Sequence, residues 1–281
     1  MELLWWRMGT PMDLKLLQDT PPWDWPPDAA KVFKKTLLDR KADAADRLIA
    51  AEMAGNMVAI NDDLAGTLLE IAASAGESDE LRGKVAISFG PVLEESYTSD
   101  FDDPDDLPIT EDTYHRIRES LRKLYDDESN PKLVRRRVLE ASVRAPEDWH
   151  GDAIRAAYAS GDQEWMLTAV FAMCYVPGFD ELILDALNNP DPDIHFHAVD
   201  AAGNWSVDGA WIHVAALVKN SATPKPLIFV AIESLASIRP AEAEDLLLPL
   251  VNSPDEEIRE VALDALQTAE MEDDDEGEWV N

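Results

Sequence analysis

Cysteine is nearly missing from this chain: of 281 residues, only Cys174 carries a thiol. An intrachain disulfide is therefore excluded, and the composition fits a reducing, cytoplasmic setting. Basic residues are scarce, 24 Lys and Arg against 57 Asp and Glu, for a formal charge of −33. The deficit is general, since residues 1–140 hold 18 basic and 29 acidic side chains and residues 141–281 hold 6 and 28. Such a surface repels phosphate backbones, so nucleic acid is not expected as a partner. It favours solubility and basic partners. Long apolar runs are missing too. The longest near-apolar stretch, MLTAVFAMCYV, is far short of the roughly 20 residues that span a bilayer, and no membrane is expected. The first residues, MELLWWRMGTPMDLK, include Glu2 and no apolar run of signal-peptide length. No run alternates in the manner of a strand.

What is present is a repeat. The heptads AAEMAGN at 50–56 and AVDAAGN at 198–204 are almost identical. Related small-residue heptads start at 85 (VAISFGP), 138 (VLEASVR), 169 (AVFAMCY), 231 (AIESLAS) and 262 (ALDALQT). The last five starts lie 31, 29, 33 and 31 residues apart and the first two 35, while the gap from 85 to 138 is one period plus an insertion. Self-similarity at this period marks a solenoid. Each heptad sits in a helical pattern preceded by another, with turn chemistry between: ESNPK at 128–132, NPDPD at 189–193, NSPDEE at 252–257. The unit is a helical hairpin, and its second helix is squeezed between its partner and the neighbouring repeats. Small residues there permit close approach, and the turn proline ends the preceding helix.

The stretches NNPDPDIHFHAVDAAG and NSPDEEIREVALDAL resemble HEAT repeats of the armadillo-like superhelical class. The resemblance is to the short bacterial kind also seen in phycobilisome-lyase-like proteins. It covers about residues 28–270 and implies an all-α, right-handed α-α superhelix of about seven hairpins. For most such families it also implies protein–protein interaction or scaffolding, with a few enzymes among them. Arg47, Arg82, Arg135 and Arg259 fall at the repeat's arginine position, where the family uses arginine to link adjacent turns through acidic groups. His195 takes that place in the fifth unit. Met166 and Ile228 take it in the fourth and sixth, which predicts breaks in the ladder.

Three segments lie outside the repeat. Residues 1–27 hold Trp5, Trp6, Trp23 and Trp25 among prolines, either a cap on the first repeat or an exposed recognition element. The acidic insertion at about 99–110, SDFDDPDDLPIT, fits a calcium loop poorly, with Pro104 at a ligand position. The tail 271–281 is acidic and expected to be disordered. Eight of the 24 basic residues fall within 116–137, with local charge pairing to the insertion as the expectation and an acidic partner as the alternative.

Helical geometry picks the open side of each second helix. In the fifth unit Phe196, Asp200 and Asn204 lie on one face, opposite Ile194, Ala198, Ala201 and Ala202. Equivalent positions are Arg136, Glu140 and Arg144 in the third unit, and Phe171 and Tyr175 in the fourth. The sixth contributes Phe229 and Glu233. Aromatic area beside carboxylates suits a peptide or protein segment with apolar and basic side chains. The bland alternative folds the rings into packing and leaves the acids solvated.

Signs of catalysis are few. No glycine-rich phosphate loop, GxSxG or HExxH occurs. None of His115, His150, His195, His197 and His213 precedes Glu, so the His-Glu dipeptides of HEAT-repeat di-iron hydroxylases are missing. His195 and His197 point to different helix faces, a poor pair for one metal. Cys174 reads as a packing cysteine. No cofactor or metal is expected and the chain reads as a non-enzyme. The alternative is an assembly factor or lyase-like enzyme using the RAPEDWH turn at 144–150.

Overall fold

A computed structural model describes residues 13–99, 101 and 106–278, with side chains through 270. All regular elements among them are helical. The chain divides into two compact units, Met1–Glu147 and Asp148–Asn281.

The first unit opens with α1 (Leu14–Gln18). Hairpins follow from α2 (Ala29–Leu38) with α3 (Ala44–Ala54) and from α4 (Asp62–Ala73) with α5 (Asp79–Ile87). An extra helix, α6 (Gly90–Thr98), precedes the hairpin of α7 (Glu111–Asp126) with α8 (Lys132–Ser142). The second unit pairs α9 (His150–Ala159) with α10 (Gln163–Met173) and α11 (Asp180–Ala186) with α12 (Pro192–Asn204). It then pairs α13 (Trp211–Lys219) with α14 (Lys225–Ile238), and α15 (Pro240–Leu247) with α16 (Glu256–Glu278). Every small-residue heptad begins on the second helix of a hairpin. The long gap is filled by α6 and the loop after it. Helical backbone continues to Glu278, eight residues past the expected end of the repeats and into the segment expected to be disordered.

Turn residues start the second helices as their chemistry dictates. Asp43, Ser78, Asp162 and Asp191 each accept from backbone N–H groups of the first turn, and Pro192 sits where a missing N–H does no harm. The cores are apolar and closed to solvent, around Phe33, Leu64, Leu68 and Phe89 in the first unit and Ile183, Ile194, Ile232 and Leu235 in the second.

Glycine marks the closest helix contacts. A Cβ on Gly203 would lie 2.8 Å from Ser234 Cα and 2.6 Å from its Oγ, and one on Gly55 would lie 2.6 Å from Ser88 Cβ. Both glycines are the sixth residue of their heptad, and both serines the fourth of the next. One register therefore stacks α3 on α5 and α12 on α14.

The arginine ladder is present in the first unit. Arg47, Arg82 and Arg135 each donate through Nε to a carbonyl ten residues earlier, at Leu37, Ala72 and Tyr125. This ties the end of a first helix to the second helix of the same hairpin. Arg47 also reaches Glu77, at 2.7 Å, and Arg82 reaches Asn130. An acidic partner thus serves at the first link and an amide at the second. In the second unit His195 Nε2 meets His213 Nε2 of the next hairpin at 2.8 Å. Lys225 bridges to Asp255 and Glu257.

The described part of the N-terminal arm packs against the first hairpin. Leu17 is fully buried, and Trp25 donates to the carbonyls of Leu17 and Thr20 while its ring edges Phe33. Trp23 is 78% exposed. Trp5 and Trp6 lie outside the described residues, as does most of the acidic run at 100–105. The basic residues of 116–137 find acids close by: Arg118 pairs with Glu147, Arg122 with Asp126, Lys123 with Glu119, and Arg137 with Glu140. Three of these pairs join residues one helical turn apart, whereas Arg118 reaches Glu147 beyond the end of α8. Among the described residues no helix is long and apolar enough to cross a membrane.

Candidate functional site

The face picked out by helical geometry differs between the two units. In α8 it is closed. Arg136 and Glu140 are each 5% exposed, and Glu140 receives Arg137 at 2.6 Å with Arg136 at 3.8 Å. Helix α6 packs beside them, and Arg144 donates to its Glu94 at 2.6 Å. Arg136 and Glu140 are therefore buried rather than open, while Arg144 stays half-buried. The inserted helix took that place, and a one-repeat pattern could not foresee it. The first unit still holds an open cavity of about 630 Å³, bordered by Trp25, Glu52, Asn56, Ile87, Pro91 and Arg144. Most of these are the equivalent face positions of the first two repeats.

In the second unit the face is accessible. Phe171, Tyr175, Phe196 and Phe229 are half-buried, neither swallowed between helices nor fully bare. Phe171 stacks obliquely on Tyr175, with centroids 5.3 Å apart. Phe171 and Phe196 each meet the His197 ring edge-on, at 5.2 and 5.3 Å. Asp200, on α12, is half-buried, while Glu233 on α14 and Asp264 on α16 are exposed. Partial desolvation, then the charges of Asp200 and Asp264, raise the Glu233 carboxyl above its ordinary value. Glu233 thus lies in the field of a carboxylate from the repeat on either side. Of the five basic side chains of the second unit, four are paired with other acids: Arg155 with Asp152, Lys225 with Asp255 and Glu257, Arg239 with Asp208 and Glu242, Arg259 with Glu256. Asn204 donates to the Cys174 carbonyl, so it serves to join α12 to the end of α10.

Below the rings lies a group the sequence reading left apart. Cys174, His197 and Asp200 bring a sulfur, a ring nitrogen and a carboxylate oxygen within 4.8 Å of one another. Burial pushes the Cys174 thiol well up, and the Asp200 charge and hydrogen bond add to that. The thiol is thus held protonated, unlike a nucleophilic cysteine. A signal for this cluster did exist. The register that sets Gly203 on Ser234 sets Cys174, sixth in its own heptad, on Ala201, the neighbour of Asp200. His195 and His197 do diverge as expected, the first toward His213 and the second toward the rings.

The RAPEDWH turn is occupied structurally. Arg144 and Glu147 are committed to Glu94 and Arg118, and His150 is completely buried with its ring 4.0 Å from that of Trp149.

No protein-family profile matches this sequence, and no curated protein matches it. Solved structures that are similar include an engineered protein, at 19% identity and TM-score 0.45, over 75% of this chain and 98% of the other. Human deoxyhypusine hydroxylase in complex with glycerol is another, at 14% identity and TM-score 0.40, over 92% of this chain and 88% of that one. Both likenesses concern the helical fold alone.

Proposed function

We propose that this protein is a non-catalytic scaffold whose second unit holds a partner-protein segment carrying basic and apolar side chains. The row of Asp200, Glu233 and Asp264 supports this reading most directly. Crowded carboxylates repel one another, and a Lys or Arg placed among them relieves that repulsion while gaining charge-assisted hydrogen bonds. The adjacent half-buried rings of Phe171, Tyr175, Phe196 and Phe229 offer apolar area at small entropic cost, since each has only two side-chain torsions. Charge complementarity also speeds encounter, and salt weakens it.

The test is a quantitative pull-down from host lysate with wild type and a Glu233→Lys/Asp264→Lys/Phe229→Ala variant of unchanged helicity. A partner retained by wild type, lost by the variant and released by moderate salt supports docking here. Recovery of the same proteins by both refutes it.

A further inference from the structure

We propose that Cys174, His197 and Asp200 form a three-ligand site for a divalent transition-metal ion, with zinc the best fit. The argument begins with placement. Cys174 closes the C-terminus of α10, while His197 and Asp200 are three residues apart on α12 and so share one side of that helix. The three donor atoms lie within 4.8 Å of one another. Zinc bonds of roughly 2.0–2.3 Å place tetrahedral ligand atoms about 3.5 Å apart, so side-chain shifts of about 1 Å complete the site. The donor set is selective. Thiolate with imidazole is a poor match for calcium or magnesium, which want oxygen throughout, and a good one for zinc.

The surroundings hold the ligands in place. The His197 ring is bracketed by the edges of Phe171 and Phe196. The end of α10 is tied to α12 by Asn204 donating to the Cys174 carbonyl at 3.2 Å and by Trp205 Nε1 donating to the Met173 carbonyl at 2.6 Å. Such outer contacts reduce the reorganisation that metal binding requires. Cys174 is 7% exposed whereas His197 and Asp200 are half-buried, so the donor set can be reached from solvent, and a zinc ion held by three protein ligands would complete its tetrahedron with water. On binding, the Cys174 S–H bond breaks, its proton passes to buffer, and the sulfur pair forms the bond to the ion. The site does not depend on the docking reading: the Glu233→Lys/Asp264→Lys/Phe229→Ala variant leaves all three ligands intact.

The test is titration of the chelator-stripped full chain with Co²⁺, in excess Mg²⁺ to saturate the acidic surface. Wild type is expected to bind one ion, with a thiolate-to-cobalt charge-transfer band and ligand-field bands of tetrahedral intensity, all displaced by Zn²⁺. Cys174→Ser should abolish the charge-transfer band. His197→Gln and Asp200→Asn should each weaken binding by at least about 10-fold, the lower end of what even an outer-shell partner contributes. Glu244→Gln, an exposed acid on α15, should change nothing. Absence of the band in wild type overturns the proposal, as does equal binding by Cys174→Ser. Should Cys174→Ser fail to fold by circular dichroism, Asp200→Asn decides: unchanged affinity in that near-isosteric variant also overturns it.

Discussion

Replacing Gly203 by alanine tests whether small residues in the second helices exist for helix approach. Alanine is the better helix former by up to about 1 kcal/mol, so propensity alone predicts stabilisation. Packing predicts the reverse. The new methyl would sit 2.8 Å from Ser234 Cα, a backbone atom that no rotamer change moves, as well as 2.6 Å from Oγ. Helices α12 and α14 must separate, at an overpacking cost of about 1–3 kcal/mol. Separation also strains the hydrogen bond from Ser234 Oγ to the Val199 carbonyl, worth about 1 kcal/mol. The net expectation is a loss of about 1–3 kcal/mol, or roughly 2–4 °C in Tm for each kcal/mol. Gly66→Ala is the control. It lies within α4 and its nearest outside atom, Arg116 Nη2, is 3.9 Å from the added Cβ, so it should stabilise by about 0.5–1 kcal/mol. Urea denaturation followed by circular dichroism reads both. A Gly203→Ala/Ser234→Gly double variant should recover part of the loss, with a coupling of about 1 kcal/mol. If Gly203→Ala proves as stable as Gly66→Ala, the close-approach argument is wrong.

Other predictions concern charge and the cap. The hydrogen bond from Arg47, then its charge, holds the Glu77 carboxyl below its ordinary value. That contribution is present above the unfolded carboxylate pKa of about 4.3 and is lost as pH falls through the lower folded value. Arg47→Met should cost about 1–3 kcal/mol at neutral pH and flatten the acid limb of the stability profile; an unchanged limb would contradict the ladder's role. His195 is held below the usual histidine range by burial and then by the charge of His213, and His213 by burial. With both folded values depressed, their contribution is complete above about pH 6.5 and declines as pH falls below it. His213→Gln should shrink that decline, as measured by denaturant midpoints from pH 7.5 to 5. Trp25→Ala should destabilise by about 2 kcal/mol as a half-buried cap, whereas Trp23→Ala should stay within about 0.5 kcal/mol. Equal effects would argue against the capping role.

The hairpins, their number and their second helices were legible in the sequence. Each rests on short-range rules: apolar spacing, an N-cap Asp or Ser, a turn proline, and a small heptad recurring near every 31 residues. The arginines of the ladder were legible for the same reason, as they recur at one place in the repeat. Contacts between repeats were not. Whether Arg136 and Glu140 face solvent depends on where α6 packs, and α6 belongs to no repeat. Cys174 and His197 are 23 residues apart and carry no shared motif; only the stacking of α10 on α12 brings thiol, imidazole and carboxylate to one point. The pairing of His195 with His213 likewise follows from how one hairpin lies on the next. Local periodicity determines which face of a helix is apolar, whereas interhelix register determines which polar groups meet. That register is set by a few close contacts, such as Gly203 against Ser234, whose partners the sequence does not name.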